Sequence, residues 1–269
     1  MTIKKLVAAF ALSAFAPLSM AAIVASDNFD YKAGELNAQS GGTGWAGAWT
    51  ANTGVTHVVT PGVALNGGNA LQISGNNNNA AYRQLGAAFS GNSLYVDFYV
   101  QIDNGALTAN DFMSLWLDVG TTGEHLSAPN IGIKADGSGT NDVFVRTSGF
   151  AGAFAPNSNI GSNNDVTYHI VGLLSRTGSG NYDSFALWLN PELGDLSTPD
   201  AYMIGNTGIS QISHIGFRSA NLDSGDILLI DGLQLSTTWK EALRVPEPGT
   251  VALLGLGLLG LSLTKKRKA

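Results

Sequence analysis

The amino-acid sequence predicts an all-β fold, an antiparallel sandwich, between two chain ends of different composition. One ten-residue segment alternates apolar and polar side chains without a break, and several shorter runs follow it with turn-forming residues between them. No long amphipathic helix lies among these runs, which favours an all-β class over an α/β class. The 44% hydrophobic and 13% charged residues exclude a disordered chain, because such a chain combines low hydrophobicity with high net charge.

The alternating segment covers residues 94–103 and predicts a strand that is buried on one face. The apolar face carries Leu94, Val96, Phe98, Val100 and Ile102, and the opposite face carries Tyr95, Asp97, Tyr99, Gln101 and Asp103. Similar runs predict strands at 112–119, 130–134, 143–147, 166–175, 184–190, 212–219 and 227–236. The glycines of 136–139 and 177–181 predict hairpin connections, because glycine accepts positive φ. One short helix is expected at 238–243.

Composition divides the chain into residues 1–22, 23–245 and 246–269. The first part has lysines near its start, then an apolar run, then small residues, which is the pattern of a secretory signal peptide. The small side chains favour cleavage after Ala21 or Ala22, with Ala25 as an alternative. The middle part is long enough for one folded domain and contains no cysteine, so an exported domain would depend on its hydrophobic core.

The last part predicts a membrane helix that anchors the precursor at its C-terminus. Its apolar run, residues 249–264, would form about 24 Å of helix, and basic side chains can extend to cover the rest of a ~30 Å hydrocarbon core. The cationic cluster that follows consists of Lys265, Lys266, Arg267 and Lys268. Such a cluster stops translocation and stays in the cytoplasm, which places the middle part on the other side of the membrane.

The tail resembles the PEP-CTERM sorting signal of bacterial exported proteins. The resemblance rests on Pro246, Glu247 and Pro248, a short helix rich in glycine and leucine, and a terminal basic cluster, in that order. It implies recognition by an exosortase-like membrane enzyme, which removes the helix and delivers the protein to the cell surface or to extracellular polysaccharide. The two prolines favour an extended segment, and an extended peptide fits a protease cleft.

The middle part resembles the laminin-G-like, concanavalin A-like jelly rolls that often carry such tails. The resemblance rests on residues 29–31 with 41–45, on 186–191, and on 230–235 with Trp239. It implies an antiparallel jelly-roll β-sandwich over most of residues 24–240.

The charge balance and the motifs of the sequence exclude several classes of function. Residues 23–245 hold eight basic and 19 acidic residues, a formal charge of −11, which argues against nucleic-acid binding. Relatives that hydrolyse glycosides carry E-x-D-x-x-E on one strand, and no glutamate of the exported part begins that pattern. No G-x-S-x-G elbow or P-loop is present. We therefore expect no enzyme activity and assign no catalytic residue.

A carbohydrate-binding face is the first candidate site. Tyr95, Asp97 and Tyr99 share the polar face of the alternating strand, and His169 and Trp188 from later strands could join them. Aromatic rings stack on sugar rings, and carboxylates accept hydrogen bonds from hydroxyls. The alternative is that another segment covers this face and that the tyrosines are ordinary packing residues.

A calcium site is the second candidate, because calcium prefers several oxygen ligands. Asp27 and Asp30, with Asn28, would meet Asp231 or Asp226 if the two ends of the domain are adjacent. Asp136 and Asp142 bracket a second acidic turn. Turn formation is the alternative interpretation of all these residues.

The sequence therefore predicts an exported, non-enzymatic protein of the cell surface or extracellular matrix, without a required cofactor, that binds extracellular polysaccharide. A glycan-processing enzyme of the same fold and a purely structural matrix protein are the alternatives.

Overall fold

Two antiparallel β-sheets pack face to face in the computed structural model, which describes residues 23–61, 65–104, 107–121, 127–136, 140–161 and 164–245. The first sheet contains, in spatial order, β14 (Ala201–Ile204), β13 (Ser184–Leu189), β12 (Tyr168–Ser175), β7 (Ser93–Asn104), β16 (Ile227–Ser236), β5 (Ala70–Ile73), β4 (Thr56–Val59) and β2 (Gly34–Glu35), and β1 (Ile23–Asp27) also pairs with β16. The second sheet contains β11 (Ala153–Phe154), β10 (Val143–Arg146), β9 (Asn130–Lys134), β8 (Phe112–Asp118), β15 (Ile212–Ala220), β6 (Asn77–Phe89) and β3 (Thr50–Ala51). The prediction of an all-β antiparallel sandwich is confirmed.

The main hydrophobic core lies between the two sheets. The apolar side chains of β7 that the alternation predicted to be buried are all 0–1% exposed. Phe98 from the first sheet meets Phe217 from the second edge to face, with ring centroids 6.5 Å apart. The chain passes from one sheet to the other between β6, β7 and β8, so the core is built by strands that are neighbours in sequence but lie in different sheets.

Every strand predicted from alternation is present, with bounds that differ by at most two residues. The strand β6 was not predicted, because its sequence of asparagine and alanine has low β-propensity. It forms nevertheless, since β15 pairs with it along most of its length and β3 pairs with its middle. The hairpin between β12 and β13 is confirmed, and Gly178 in its turn has a φ of +82°.

The short helix α1 (Trp239–Ala242) follows β16 directly, and a 3-10 helix spans Leu193–Ser197. Thr238 begins α1, because its side-chain oxygen accepts a hydrogen bond from the backbone N–H of Glu241. Gln234 of β16 donates a hydrogen bond of 2.7 Å to the Glu241 carbonyl, which ties the helix to the first sheet.

The predicted signal peptide (1–22) and the tail (246–269) lie outside the described residues. Among the residues that are described, no helix is long and apolar enough to cross a membrane.

Candidate functional site

The outer face of the first sheet, where carbohydrate binding was predicted, is covered by the C-terminal segment, residues 237–245. The indole of Trp239 packs against Trp188, with ring centroids 4.9 Å apart, and against Tyr95 at 6.0 Å. Its Nε1 donates a hydrogen bond of 3.0 Å to the Leu193 carbonyl. Tyr95 is consequently only 8% exposed, which agrees with the packing alternative.

Asp97 lies at the centre of this covered face and is 0% exposed. Its Oδ1 accepts hydrogen bonds from Nη2 of Arg244 at 3.0 Å and from Nε of the same side chain at 3.2 Å. Nε2 of His169 lies 3.2 Å from the same oxygen. Within the described part of the chain, Oδ2 has no partner. Burial raises the pKa of Asp97, and the hydrogen bond from His169 and the charge of Arg244 oppose that rise.

Arg244 makes further contacts around this carboxylate. Its Nη2 also donates to the carbonyl of Gly232, and its guanidinium carbon lies 5.1 Å from the ring centroid of Tyr99. The Tyr99 ring stacks on His169 with centroids 4.5 Å apart. Asp97, Tyr99, His169 and Arg244 are called the Asp97 cluster below. The cluster joins β7, β12 and the C-terminal segment.

The backbone of the C-terminal segment is held until its last residue. Arg244 adopts a φ of +57° and donates its N–H to the Glu241 carbonyl at 2.8 Å. Val245 donates to the Lys240 carbonyl at 2.9 Å. The chain therefore stays attached to the sandwich up to the residue before Pro246.

A family model covers the chain from Arg244 onwards, over residues 244–268. The chain carries a PEP-CTERM protein-sorting motif. Arg244 thus belongs both to the sorting motif and to the Asp97 cluster. The motif residues Pro246, Glu247 and Pro248 and the basic residues 265–268 lie outside the described residues.

Solved structures with a similar course of the chain include carbohydrate-active and other proteins. The globular domain of calreticulin from T. cruzi is 10% identical, with a TM-score of 0.48, and covers 91% of this chain and 100% of its own. The catalytic domain of a glycoside hydrolase family 131 protein from Coprinopsis cinerea is 14% identical, with a TM-score of 0.48, and covers 80% and 97%. A carbohydrate esterase from the Shiga toxin-encoding bacteriophage phi24B is 14% identical, with a TM-score of 0.47, and covers 81% and 99%. A search of curated proteins found no match.

The predicted calcium ligand Asp27 takes part in a buried ion pair. Its Oδ2 accepts from Nη1 of Arg83 at 2.6 Å, from Nε1 of Trp49 at 2.8 Å and from the hydroxyl of Tyr31. Its Oδ1 accepts from the backbone N–H of Phe29 at 2.8 Å. Both carboxylate oxygens are already used, so a calcium ion at Asp27 would have to displace these donors.

The other predicted ligands lie near one another but also have protein partners. Asp30 and Asn28 line a depression of about 340 Å³ beside Asp27, and Asp30 accepts from the backbone N–H of Asn69 at 2.9 Å. Asp231 accepts from the backbone N–H groups of Asn66 at 3.1 Å and of Gly232 at 2.6 Å. Burial, and to a lesser degree the charge of Asp30, raises the pKa of Asp231 to about 7. The two ends of the domain are adjacent, because β1 pairs with β16.

Asp226 lies in a different group, with Asp111 and Asp223, whose ligand atoms are within 4.8 Å of one another. These carboxylates shape turns: Asp226 accepts from the Asp223 backbone at 2.7 Å, and Asp111 accepts from the Thr108 backbone. Burial raises the pKa of Asp226, and its two acidic neighbours add to that rise.

Asp136 and Asp142 serve the second acidic turn in the same way. Asp136 accepts from the hydroxyl of Thr140 at 2.9 Å, and Asp142 accepts from the backbone N–H of Asp136 at 3.2 Å and, outside the turn, from that of Gly161 at 2.9 Å. The geometry of these aspartates matches the turn interpretation.

Sequence reasoning missed Arg244 as a partner of Asp97. The two residues are 147 positions apart, and nothing in the local pattern of either connects them. The short helix at 238–243 was the available signal, because a capped helix directly after a strand has to pack on some surface.

Proposed function

We propose that this chain is an exported, non-enzymatic surface protein whose β-sandwich is delivered by its PEP-CTERM motif, processed near Pro246–Pro248 by an exosortase-like enzyme, and binds extracellular polysaccharide. The motif itself indicates an exported cell-surface protein that an exosortase processes. Polysaccharide binding goes beyond what the motif indicates.

The proposal rests on the C-terminal segment, which is docked on the sandwich and leads directly into the sorting motif. Val245 is still hydrogen-bonded to the C-terminal segment, and the apolar run begins at residue 249. Three residues, 246–248, span at most about 10 Å. If the apolar run enters a membrane, the sandwich is held close to the bilayer surface until the tail is removed.

A glycan-processing enzyme is the competing function. Its best candidate residues are Asp97 and His169, because a buried carboxylate beside an imidazole is a common acid–base arrangement. The C-terminal segment covers this pair, and Arg244 occupies the carboxylate oxygen that faces it. These contacts support a structural role for Asp97.

Cell fractionation combined with mass spectrometry of the C-terminus tests the sorting step. We expect the wild type to lose its tail and reach the surface fraction, and Glu247→Ala to stay in the membrane with its tail intact. Glu35→Ala is the matched control, because it removes one exposed carboxylate of the same type, 212 positions before Glu247 in the sequence. Sorting by this motif is wrong if the wild type and Glu247→Ala distribute identically and both keep the tail.

A glycan array with the full chain tests polysaccharide binding, and release of reducing sugars from the bound polysaccharides tests enzymatic turnover. Binding without release supports the proposal. A blank array would favour a purely structural matrix protein, and release of sugars would favour the enzyme.

A further inference from the structure

A cationic cleft lies on the outer face of the second sheet, opposite the face that the C-terminal segment covers. Its volume is about 480 Å³, within the range of ligand pockets. The cleft is lined by Ala109, Asn110, Phe112, Lys134, Arg146, Phe150, Arg218, Ala220 and Asn221. Three of the eight basic residues of 23–245 are in this set, and none of its nine members is acidic. This concentration of positive charge contrasts with a domain whose formal charge is −11.

The strand order brings these side chains together. The strands β10, β9, β8 and β15 are successive neighbours, and Val143 and Val145 of β10 point into the core. The alternate residues, Phe144 and Arg146, therefore point outwards. Arg218 of β15 reaches the same place from the other side, since its guanidinium carbon lies 4.7 Å from the ring centroid of Phe112.

Arg146 is the unusual member of the cleft. It is only 5% exposed, and within the described residues its Nε has no hydrogen-bond acceptor. Its guanidinium carbon lies 4.5 Å from the ring centroid of Phe144 and 5.3 Å from that of Phe112. Burial, with a further contribution from Arg218, lowers the pKa of Arg146 to about 10, so the side chain is still charged at neutral pH.

Within the described residues Arg146 forms no ion pair with a carboxylate. A buried cation in that position is costly, and an anion from outside the protein would relieve the cost. A planar carboxylate suits a guanidinium best, because two parallel N–H groups can donate to its two oxygens. The rest of the cleft suits a sugar. Asn110 and Asn221 line it, and Phe150, which is 75% exposed, offers an apolar ring at its edge.

We propose that the cationic cleft binds the carboxylate group of an acidic polysaccharide, with Arg146 as its anchor. The choice of a polysaccharide rests on the proposed function, whereas the anionic group follows from the cleft itself. The net negative charge of the domain repels an anionic polymer, so we expect binding to depend on the cationic cleft.

Titration calorimetry on the full chain in a non-ionic detergent tests the proposal, with polygalacturonate as the carboxylated probe, neutral dextran as the uncharged probe and dextran sulfate as the sulfated probe. We expect the wild type to bind polygalacturonate and not dextran. Arg146→Met keeps the length and apolar bulk of the side chain, and we expect it to weaken binding at least about tenfold. Lys32→Met is the matched control, because it removes the same charge from an exposed position outside the cleft, and we expect a change of less than about twofold.

Circular dichroism establishes that each variant is folded. Should Arg146→Met not fold, Arg218→Met removes the other guanidinium of the cleft and tests the same expectation. The proposal is overturned if the wild type does not bind polygalacturonate, or if Arg146→Met and Lys32→Met weaken binding equally. Tighter Arg146-dependent binding to dextran sulfate would overturn the assignment to a carboxylate. Neither result changes the outcome of the Glu247→Ala experiment, so failure of the cleft and failure of sorting are separable.

Discussion

Removal of the Arg244 side chain should destabilise the folded domain, because it leaves the buried carboxyl group of Asp97 without its cation. In Arg244→Met the Oδ1 atom of Asp97 keeps only His169, and Oδ2 has no partner within the described residues. Loss of one member of a buried ion pair costs about 3–5 kcal/mol. The Arg244 side chain is 24% exposed, so we expect a value near the lower end, about 3 kcal/mol. For a domain of this length that corresponds to a fall in Tm of about 6–12 °C.

The loss should depend on pH, and the direction follows from the pKa of Asp97. Burial raises this pKa and Arg244 lowers it, so the variant has a higher Asp97 pKa than the wild type. An acid whose pKa is raised by folding adds stability as the pH falls, because the folded state binds the proton more tightly than the unfolded state. The difference between the stabilities of wild type and Arg244→Met should therefore shrink as the pH is lowered.

Urea unfolding followed by tryptophan fluorescence measures this effect on the full chain in detergent. Lys240→Met is the matched control, because it removes one positive charge from an exposed position in the same C-terminal segment. A cycle with Asp97→Asn isolates the pair, for which we expect a coupling of about 1–3 kcal/mol. If Arg244→Met and Lys240→Met unfold at the same urea concentration at every pH, the argument for the Asp97 cluster is wrong.

Three further predictions follow from the described contacts. The Asp231 carboxyl has a pKa of about 7, so the wild type loses stability as the pH rises from 4 to 7. In Asp231→Asn this loss of stability should be smaller. Urea midpoints at several pH values measure the difference. Gly132→Ala should destabilise the fold by about 1–3 kcal/mol in thermal unfolding, because its Cβ would lie 2.2 Å from the Met113 carbonyl oxygen. Gly47→Ala is the control and should be nearly neutral, because a Cβ there has no atom within 4 Å. Trp239→Ala should cost about 3–5 kcal/mol and make the C-terminal segment more sensitive to limited proteolysis, because the indole is 6% exposed; unchanged cleavage would contradict its packing role.

The fold was predictable wherever alternation was strong. The strand β7 shows why, because its period of two determines which face meets the core. The side chains that this pattern predicts to be buried are buried in the structure. The strand β6 shows the limit, because its asparagines and alanines carry no such signal and the strand forms through pairing with β15. Local pattern therefore predicted the sandwich but not the whole of either sheet.

The candidate sites were less predictable, because they depend on contacts between distant residues. Alternation correctly placed Tyr95 and Asp97 on the face away from the core, but it could not show that the C-terminal segment covers them. For Asp27 the sequence suggested the wrong kind of partner. Its place near other acids suggested a cation, while its actual cation is Arg83, 56 residues away.

The docking of residues 237–245 determines the face of the sandwich at which the described chain ends. The chain leaves the sandwich from the outer face of the first sheet, and the cationic cleft lies on the outer face of the second. A protein tethered through its carboxyl end would therefore turn its first sheet towards the anchoring surface and its cleft towards the surrounding medium. The short helix α1, which covers the outer face of the first sheet, would thus also determine that the outer face of the second sheet is exposed to the medium.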